Sequence, residues 1–380
     1  MFLKKILITL FLFLFFIVVL PGMIHNFSQA RASLLKPRLE LEVTKNQFNL
    51  IEKKFKLPEF YVKGVYISGW VAGMPDRMEK IIEMIENTPL NSVVIDIKDE
   101  HGYISYKTRV EKAWKIGAVK LKIKNIKMLL KLLKSKGIYT IGRVVVFKDP
   151  VLAKKRPDLA LDVLDPLRIK KNIYWVDPTS IEVWRYNIEI AKEAARLGFD
   201  EIQFDYIRYP VSRFKINLKG PYKYKLDKTK PINSFISYAK KELSKLSTPV
   251  SIDVFGLTTA VEDDLGIGQN LKYLGSIIDI ISPMVYPSHY APGSYGIEDP
   301  EMSPYKIVYN SMKDALDKFE NNKVVFRPWL QDFSLKKQYS HREVMAQIRA
   351  VQDLGLKEWL LWNPRCRYTE KAFRPPLQME

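Results

Sequence analysis

Three aspartates stand at or near the ends of apolar runs, and their placement could do acid–base chemistry. Asp205 follows Glu201-Ile202-Gln203-Phe204, Asp253 lies within VSIDVFG (Val250 to Gly256), and Asp96 lies within VVIDIKDE (Val93 to Glu100). If these runs are strands, alternate residues share a face. Gln203 then joins Asp205, Ser251 joins Asp253, and Val94 joins Asp96 and Lys98 on the side turned inward. A carboxylate aimed into an apolar interior is costly unless it is paired or opens to solvent at a mouth. Cleavage of a glycosidic bond needs two such groups, one as nucleophile or base and one as acid. Asp205 and Asp253, on consecutive strands, form the leading pair, with Asp96 third. The competing reading has these aspartates only neutralising Arg143 or Lys98 in buried ion networks. Three of them at one mouth weigh against it, because such pairing costs desolvation with no evident gain in stability.

Aromatic residues gather at the same run ends and in the loops beyond them, among them Trp175, Tyr286, Tyr290, Trp329 and Trp362. Sugar rings present C–H faces that stack on such side chains, while core packing claims about half of them. Trp175 and Tyr290, both in loops, are the stronger candidates for ligand contact. Arg143, Arg208 and His289 complete the expected substrate-binding set, Arg208 either positioning Asp205 or closing the site wall. His101 and His289 lack any H-x-x-x-H spacing, so neither a metal nor a cofactor is expected. No G-x-S-x-G elbow is present for serine chemistry.

The elements that must carry these residues alternate along the chain. Strands are expected at Gly64–Trp70, Ser92–Lys98, Ile138–Phe147, the run ending at Asp205, Pro249–Gly256, Ile278–Tyr286, Lys323–Trp329 and Glu358–Trp362. Helical patterns lie between them. Met78, Ile81, Ile82 and Ile85 make one apolar stripe, and another helix is expected over 121–136. Capping boxes are read at Thr179-x-x-Glu182 and Ser340-x-x-Glu343. Eight strands with helical crossovers predict an α/β fold, a (β/α)8 TIM barrel with loop insertions at the strand C-termini and its site at that end.

Ahead of the barrel, Lys4 and Lys5 precede the apolar run Ile6 to Leu20, which Pro21-Gly22 breaks. This layout predicts an export signal or membrane anchor over 1–30, then a stalk over 31–61 and the barrel domain over 62–375. The single Cys366 rules out an intramolecular disulfide. A formal charge of +19 favours polyanions. For an exported chain these are anionic wall polymers, lipid headgroups or an acidic glycan, and nucleic acid is disfavoured for want of any binding motif. The loop Arg213 to Lys230 concentrates seven Lys or Arg against one Asp.

The ordered set GVYISGW, VVIDIKDEHG, IGRVVVFKD, WVDPTS, FDEIQFDYIRYP, SIDVFG and ISPMVYPSHY resembles the bacterial glycoside hydrolase family catalogued as domain of unknown function 4015, over roughly residues 62–375. The resemblance implies an exported TIM barrel related to glycosidases whose nucleophile lies on strand four, the position of Asp205. It also implies a strand-five acid at Asp253, although the amylase-like branch carries Glu there and strand six here offers no acid. The expected function is cleavage of a poly- or oligosaccharide at the cell surface. The alternative is a non-catalytic carbohydrate-binding or wall-associated barrel.

Overall fold

The computed structural model describes residues 57–164, 174–211, 215–217, 227–319 and 324–373. The expected signal or anchor over 1–30 and most of the stalk lie outside them. Among the described residues no helix is long and apolar enough to cross a membrane.

Eight parallel strands close on themselves. They are β1 (Lys63–Ile67), β2 (Ser92–Lys98), β3 (Tyr139–Val145), β4 (Glu201–Asp205), β5 (Val250–Phe255), β6 (Ile280–Met284), β7 (Val325–Phe326 continuing as Trp329–Gln331) and β8 (Trp359–Trp362). Each pairs with the next, and Lys63 opposite Trp359 joins β1 to β8. The crossovers carry α1 (Pro75–Glu86), α2 (Ile126–Ser135), α3 (Ile181–Leu197), α4 (Thr229–Ser244), α5 (Leu271–Gly275), α6 (Pro304–Asp317) and α7 (His341–Asp353). This is the (β/α)8 barrel, with its strands buried on both faces as parallel sheets require. Outside the lumen, Phe147, Phe204 and Trp184 crowd around Phe235 of α4 at centroid distances of 5.2 to 6.1 Å.

Local chemistry sets the element ends. The Ser340–Glu343 capping box opens α7 as expected. At α3 the cap is Ser180, one residue later than expected, because the Thr179 hydroxyl is spent on Asp177 Oδ1 at 2.8 Å. Gly198, at φ 111°, ends that helix in a left-handed conformation that favours glycine. The helix expected over 121–136 begins only at Ile126, where the Asn125 side chain accepts from the Met128 amide. Ahead of it, Val119–Ile123 is a strand beside Ile104–Tyr106 at the C-terminal end of β2. Strand seven breaks at Arg327-Pro328, since proline has no N–H to give the ladder. Part of the basic loop, Lys215–Asn217, pairs antiparallel with Asp162–Leu164, and 212–214 and 218–226 lie outside the described residues.

The expectation that Lys98 shares the lumen face with Val94 and Asp96 is wrong. Between β2 and β3 the register passes from Asp96 opposite Arg143 to Lys98 opposite Val144, leaving Ile97 as an extra residue. Such a bulge reverses the alternation beyond it. Lys98 therefore turns to the helix layer, where Nζ donates to Val145 O and to Asn187 Oδ1 of α3 and lies 2.6 Å from Asp149. Gly142 makes room for the bulge, because a Cβ there would stand 2.2 Å from Ile97 Cδ1.

Candidate active site

At the C-terminal end of the lumen β4 projects Glu201, Gln203 and Asp205 inward in turn, and only Asp205 reaches the mouth. Beyond it the chain turns sharply, with Tyr206 at φ 52°, a conformation costly for a residue with a Cβ. That turn aims the Tyr206 amide at Asp205 Oδ1. The other carboxylate oxygen, Oδ2, accepts from Arg143 Nε at 3.1 Å and Nη2 at 2.6 Å. Arg143 Nη1 donates to Asp96 Oδ1 at 2.6 Å, and the Tyr66 hydroxyl donates to Asp96 Oδ2, also at 2.6 Å. One guanidinium from β3 thus ties the carboxylates of β2 and β4. Behind it Tyr66 and Trp362 stack at 3.9 Å, and the Arg143 cation lies 5.1 Å from the Trp362 ring.

Asp253 is held differently. Its strand β5 neighbours β4, with Gln203 opposite Ser251. Its Oδ1 accepts from Trp329 Nε1 at 2.7 Å, and no cation lies within ion-pairing distance of it among the described residues. Burial pushes its carboxyl well above the usual range, and the charge of Asp205 pushes the same way against Arg143 and the indole. Burial also raises Asp96, to about 6, although Arg143 and Tyr66 oppose it. The three carboxyls therefore share one mouth in unequal environments, the condition that separates an acid from a base.

The expected substrate-binding residues divide. Tyr286 is buried near Asp253, its phenol pushed up first by burial and then by that carboxyl. His289 and Phe333 meet its ring edge at 5.4 and 5.7 Å. Trp175, Trp329 and Trp362 contact the site residues already named or Arg208. Tyr290 instead sits in the interior, its hydroxyl sharing a 2.8 Å hydrogen bond with Ser311 of α6. Arg208 stands among Trp175, Tyr206 and Phe255, with centroid distances of 4.9, 5.0 and 4.3 Å. It does not hydrogen-bond Asp205; Nη1 donates to Tyr209 O at 3.0 Å.

Sequence reasoning passed over Tyr66 and Lys148, and it noted Tyr206 only as one of the aromatics at the strand ends. Tyr66 had a usable signal, a polar tip on the inward face of strand one. Lys148 had none, since its placement follows from the antiparallel bridge between Lys148 and Trp175. Cys366 is buried, and its sulfur accepts from the Ser68 amide.

A family model described as "Putative glycosyl hydrolase domain" matches residues 64–368. No curated protein matches the chain. Among solved structures, a hypothetical protein from Ruminiclostridium thermocellum ATCC 27405 is 36% identical, over 53% of this chain and 98% of that one, with a TM-score of 0.44. The glycoside hydrolase domain of PgaB (BpsB) from Bordetella bronchiseptica is 13% identical over 81% and 95%, with a TM-score of 0.60, a likeness of fold. The Bacillus cereus spore cortex-lytic enzyme SleL is 9% identical over 82% and 74%, with a TM-score of 0.49.

Proposed function

Because the chain belongs to the glycosyl hydrolase family catalogued as domain of unknown function 4015, we propose that its barrel cleaves a poly- or oligosaccharide by a two-carboxylate mechanism, with Asp205 as nucleophile or base and Asp253 as acid. One observation carries this assignment. Asp253 is buried beside Asp205, its carboxyl has an indole as its only hydrogen-bond partner among the described residues, and burial and the charge of Asp205 favour its protonated form against Arg143 and that indole. A general acid must hold its proton until the leaving oxygen takes it. Asp205, aimed by the Tyr206 amide and by Arg143, faces the same mouth as the attacking group. Asp96 and Tyr66 position Arg143 and through it Asp205, while Trp329 and Tyr286 wall the acid.

Neighbouring parallel strands lie ~4.8 Å apart. Carboxyls ~5 Å apart belong to retaining enzymes and wider pairs to inverting ones, so retention of anomeric configuration is the stereochemistry we assign. The apolar run Ile6 to Leu20 after Lys4 and Lys5 supports export, with the barrel facing outward, either tethered or released. Fractionation of the full chain tests this, and soluble cytosolic recovery contradicts it.

Release of reducing ends from a panel of neutral and acidic polysaccharides by the full chain, set against Asp205→Asn, tests the activity. Turnover that vanishes in the variant while glycan binding persists supports the enzyme. The ion pairs from Arg143 to both Asp96 and Asp205 favour the other reading, a barrel that binds carbohydrate without cleaving it. In that case the variant alters affinity alone.

A further inference from the structure

Three buried arginines surround the lumen and its mouth, and they are compensated unequally. Arg143 pairs with two aspartates and Arg327 with two glutamates. Arg208, only 7% exposed, has no carboxylate within ion-pairing distance among the described residues. Its guanidinium carries five N–H donors in a planar fork, and the one hydrogen bond it makes there goes to Tyr209 O. Three aromatic rings hold it in place, and cation–π attraction offsets part of the cost of burying the charge. Burial lowers its pKa to about 10, which leaves it a cation at neutral pH.

A second cation shares the Tyr206 ring. Lys148 Nζ lies 4.9 Å from its centroid, with Arg208 Cζ at 5.0 Å. Burial lowers the pKa of Lys148, and Arg208 and Arg143 push the same way; Glu100 and Asp205 oppose them, and neither acid is within ion-pairing distance. The same composition continues outward. Tyr174, next to Trp175, lines a cavity of about 440 Å³ with Trp70, Tyr103, Lys120 and Lys154, and the cavity's one acid, Asp99, is paired with Lys122. Lys120 Nζ lies 4.7 Å from the Tyr103 ring, and neither Lys120 nor Lys154 has an acid partner among the described residues.

We propose that Arg208, with Lys148 beside it, binds the carboxylate of an acidic sugar residue, so that the substrate is a uronate-type glycan whose anion supplies the missing counter-charge. A planar guanidinium fork matches a carboxylate with two parallel hydrogen bonds. The Tyr206 ring, which is only half-buried, also offers a surface for a sugar ring, and Tyr206 follows Asp205 directly, which places the acidic residue next to the bond being cut. This assignment rests on the glycosidase reading of the same mouth.

The test titrates the full chain with D-glucuronate and, separately, with D-glucose, followed by saturation-transfer NMR. Neither sugar has a glycosidic bond to cleave, so the measurement does not depend on turnover. Glucuronate is expected to bind about tenfold more tightly than glucose, ~1.4 kcal/mol. Arg208→Gln should bring the two within about twofold, and Lys148→Gln should narrow the gap partway. Arg208→Lys, which keeps the charge but not the fork, serves where the glutamine variant does not fold, and it should lose most of the preference. Equal affinity for both sugars, or a preference that survives in all three variants, overturns the proposal. A glucuronate preference without reducing-end release from any glycan in the panel would defeat the glycosidase reading and leave the anion site standing.

Discussion

Each end of the barrel lumen holds an arginine between two carboxylates, yet the two ends differ in what surrounds that unit. At the N-terminal end Arg327 donates to Glu201 at 2.8 Å and to Glu358 at 2.7 Å, while the Ser251 and Tyr139 hydroxyls also donate to Glu201. Both acids of that cluster share the one cation. At the C-terminal end Arg143 ties Asp96 to Asp205 in the same manner, but Asp253 beside them has no cation and Arg208 has no acid. A closed cluster of buried charge contributes to the fold; breaking it costs, and it offers a substrate nothing. An unbalanced one favours the protonated form of a carboxyl and, on the proposal above, leaves a guanidinium for a ligand. In a (β/α)8 barrel the chemistry belongs to the C-terminal end, and here the electrostatic imbalance falls at that end.

The comparison breaks most readily at Asp205. Asp205→Asn should lower glycan release by about ten-thousand-fold, in line with loss of an attacking group, with the protein still folded because Arg143 keeps its ion pair with Asp96. Retained turnover would remove the distinction between the two ends. Arg327→Met should do the opposite, since buried Glu201 and partly buried Glu358 then lose their cation. Denaturant unfolding should show a loss of ~3–5 kcal/mol, with kcat on surviving folded protein unaltered.

Asp253→Asn sharpens the contrast through pH. An acid works while protonated, so kcat/KM of the wild type should fall as pH rises through the raised pKa of Asp253. The asparagine variant should lose about a hundredfold and, with it, that alkaline limb. An unchanged limb would assign the proton donor elsewhere. The smallest effect is expected at Tyr66→Phe. It removes one hydrogen bond to Asp96, ~1 kcal/mol of stability, and should move the Asp96 carboxyl further up from about 6, because that bond favours its ionised form. A downward shift would contradict the assigned role of the Tyr66 hydroxyl.

Much of this was legible in the sequence because a parallel barrel buries both faces of every strand, so each strand reads as an apolar run ending in polar residues. Asp96, Asp205 and Asp253 stood out on that basis. The run alone could not reveal the extra residue at Ile97, since a bulge is a property of the pairing with β3; Lys98 was therefore placed in the lumen when it braces α3 against β3. Nor could it reveal that Arg143 spans two strands to reach Asp96 and Asp205, which depends on β2, β3 and β4 being neighbours. Residues 121–123 read as the start of a helix because Ile123 keeps helical step with Ile126 and Leu130, but the Asn125 cap starts the helix at Ile126 and leaves Val119–Ile123 as a strand. Tyr290 stood in a loop by sequence, yet its partner Ser311, twenty-one positions on in α6, draws it into the interior.

The account's central claim is that Asp253 is a carboxyl kept protonated by burial and by the charge of Asp205. Carboxyl-carbon NMR of the protein with ¹³C-labelled aspartate measures this without any substrate, by titrating Asp253 in the wild type and in Asp205→Asn, with Asp253→Asn identifying its resonance. The account predicts a wild-type titration well above the ordinary carboxylate range and a lower pKa once the charge of Asp205 is removed. An Asp253 resonance that titrates with ordinary surface aspartates, or that ignores the Asp205 substitution, would contradict it.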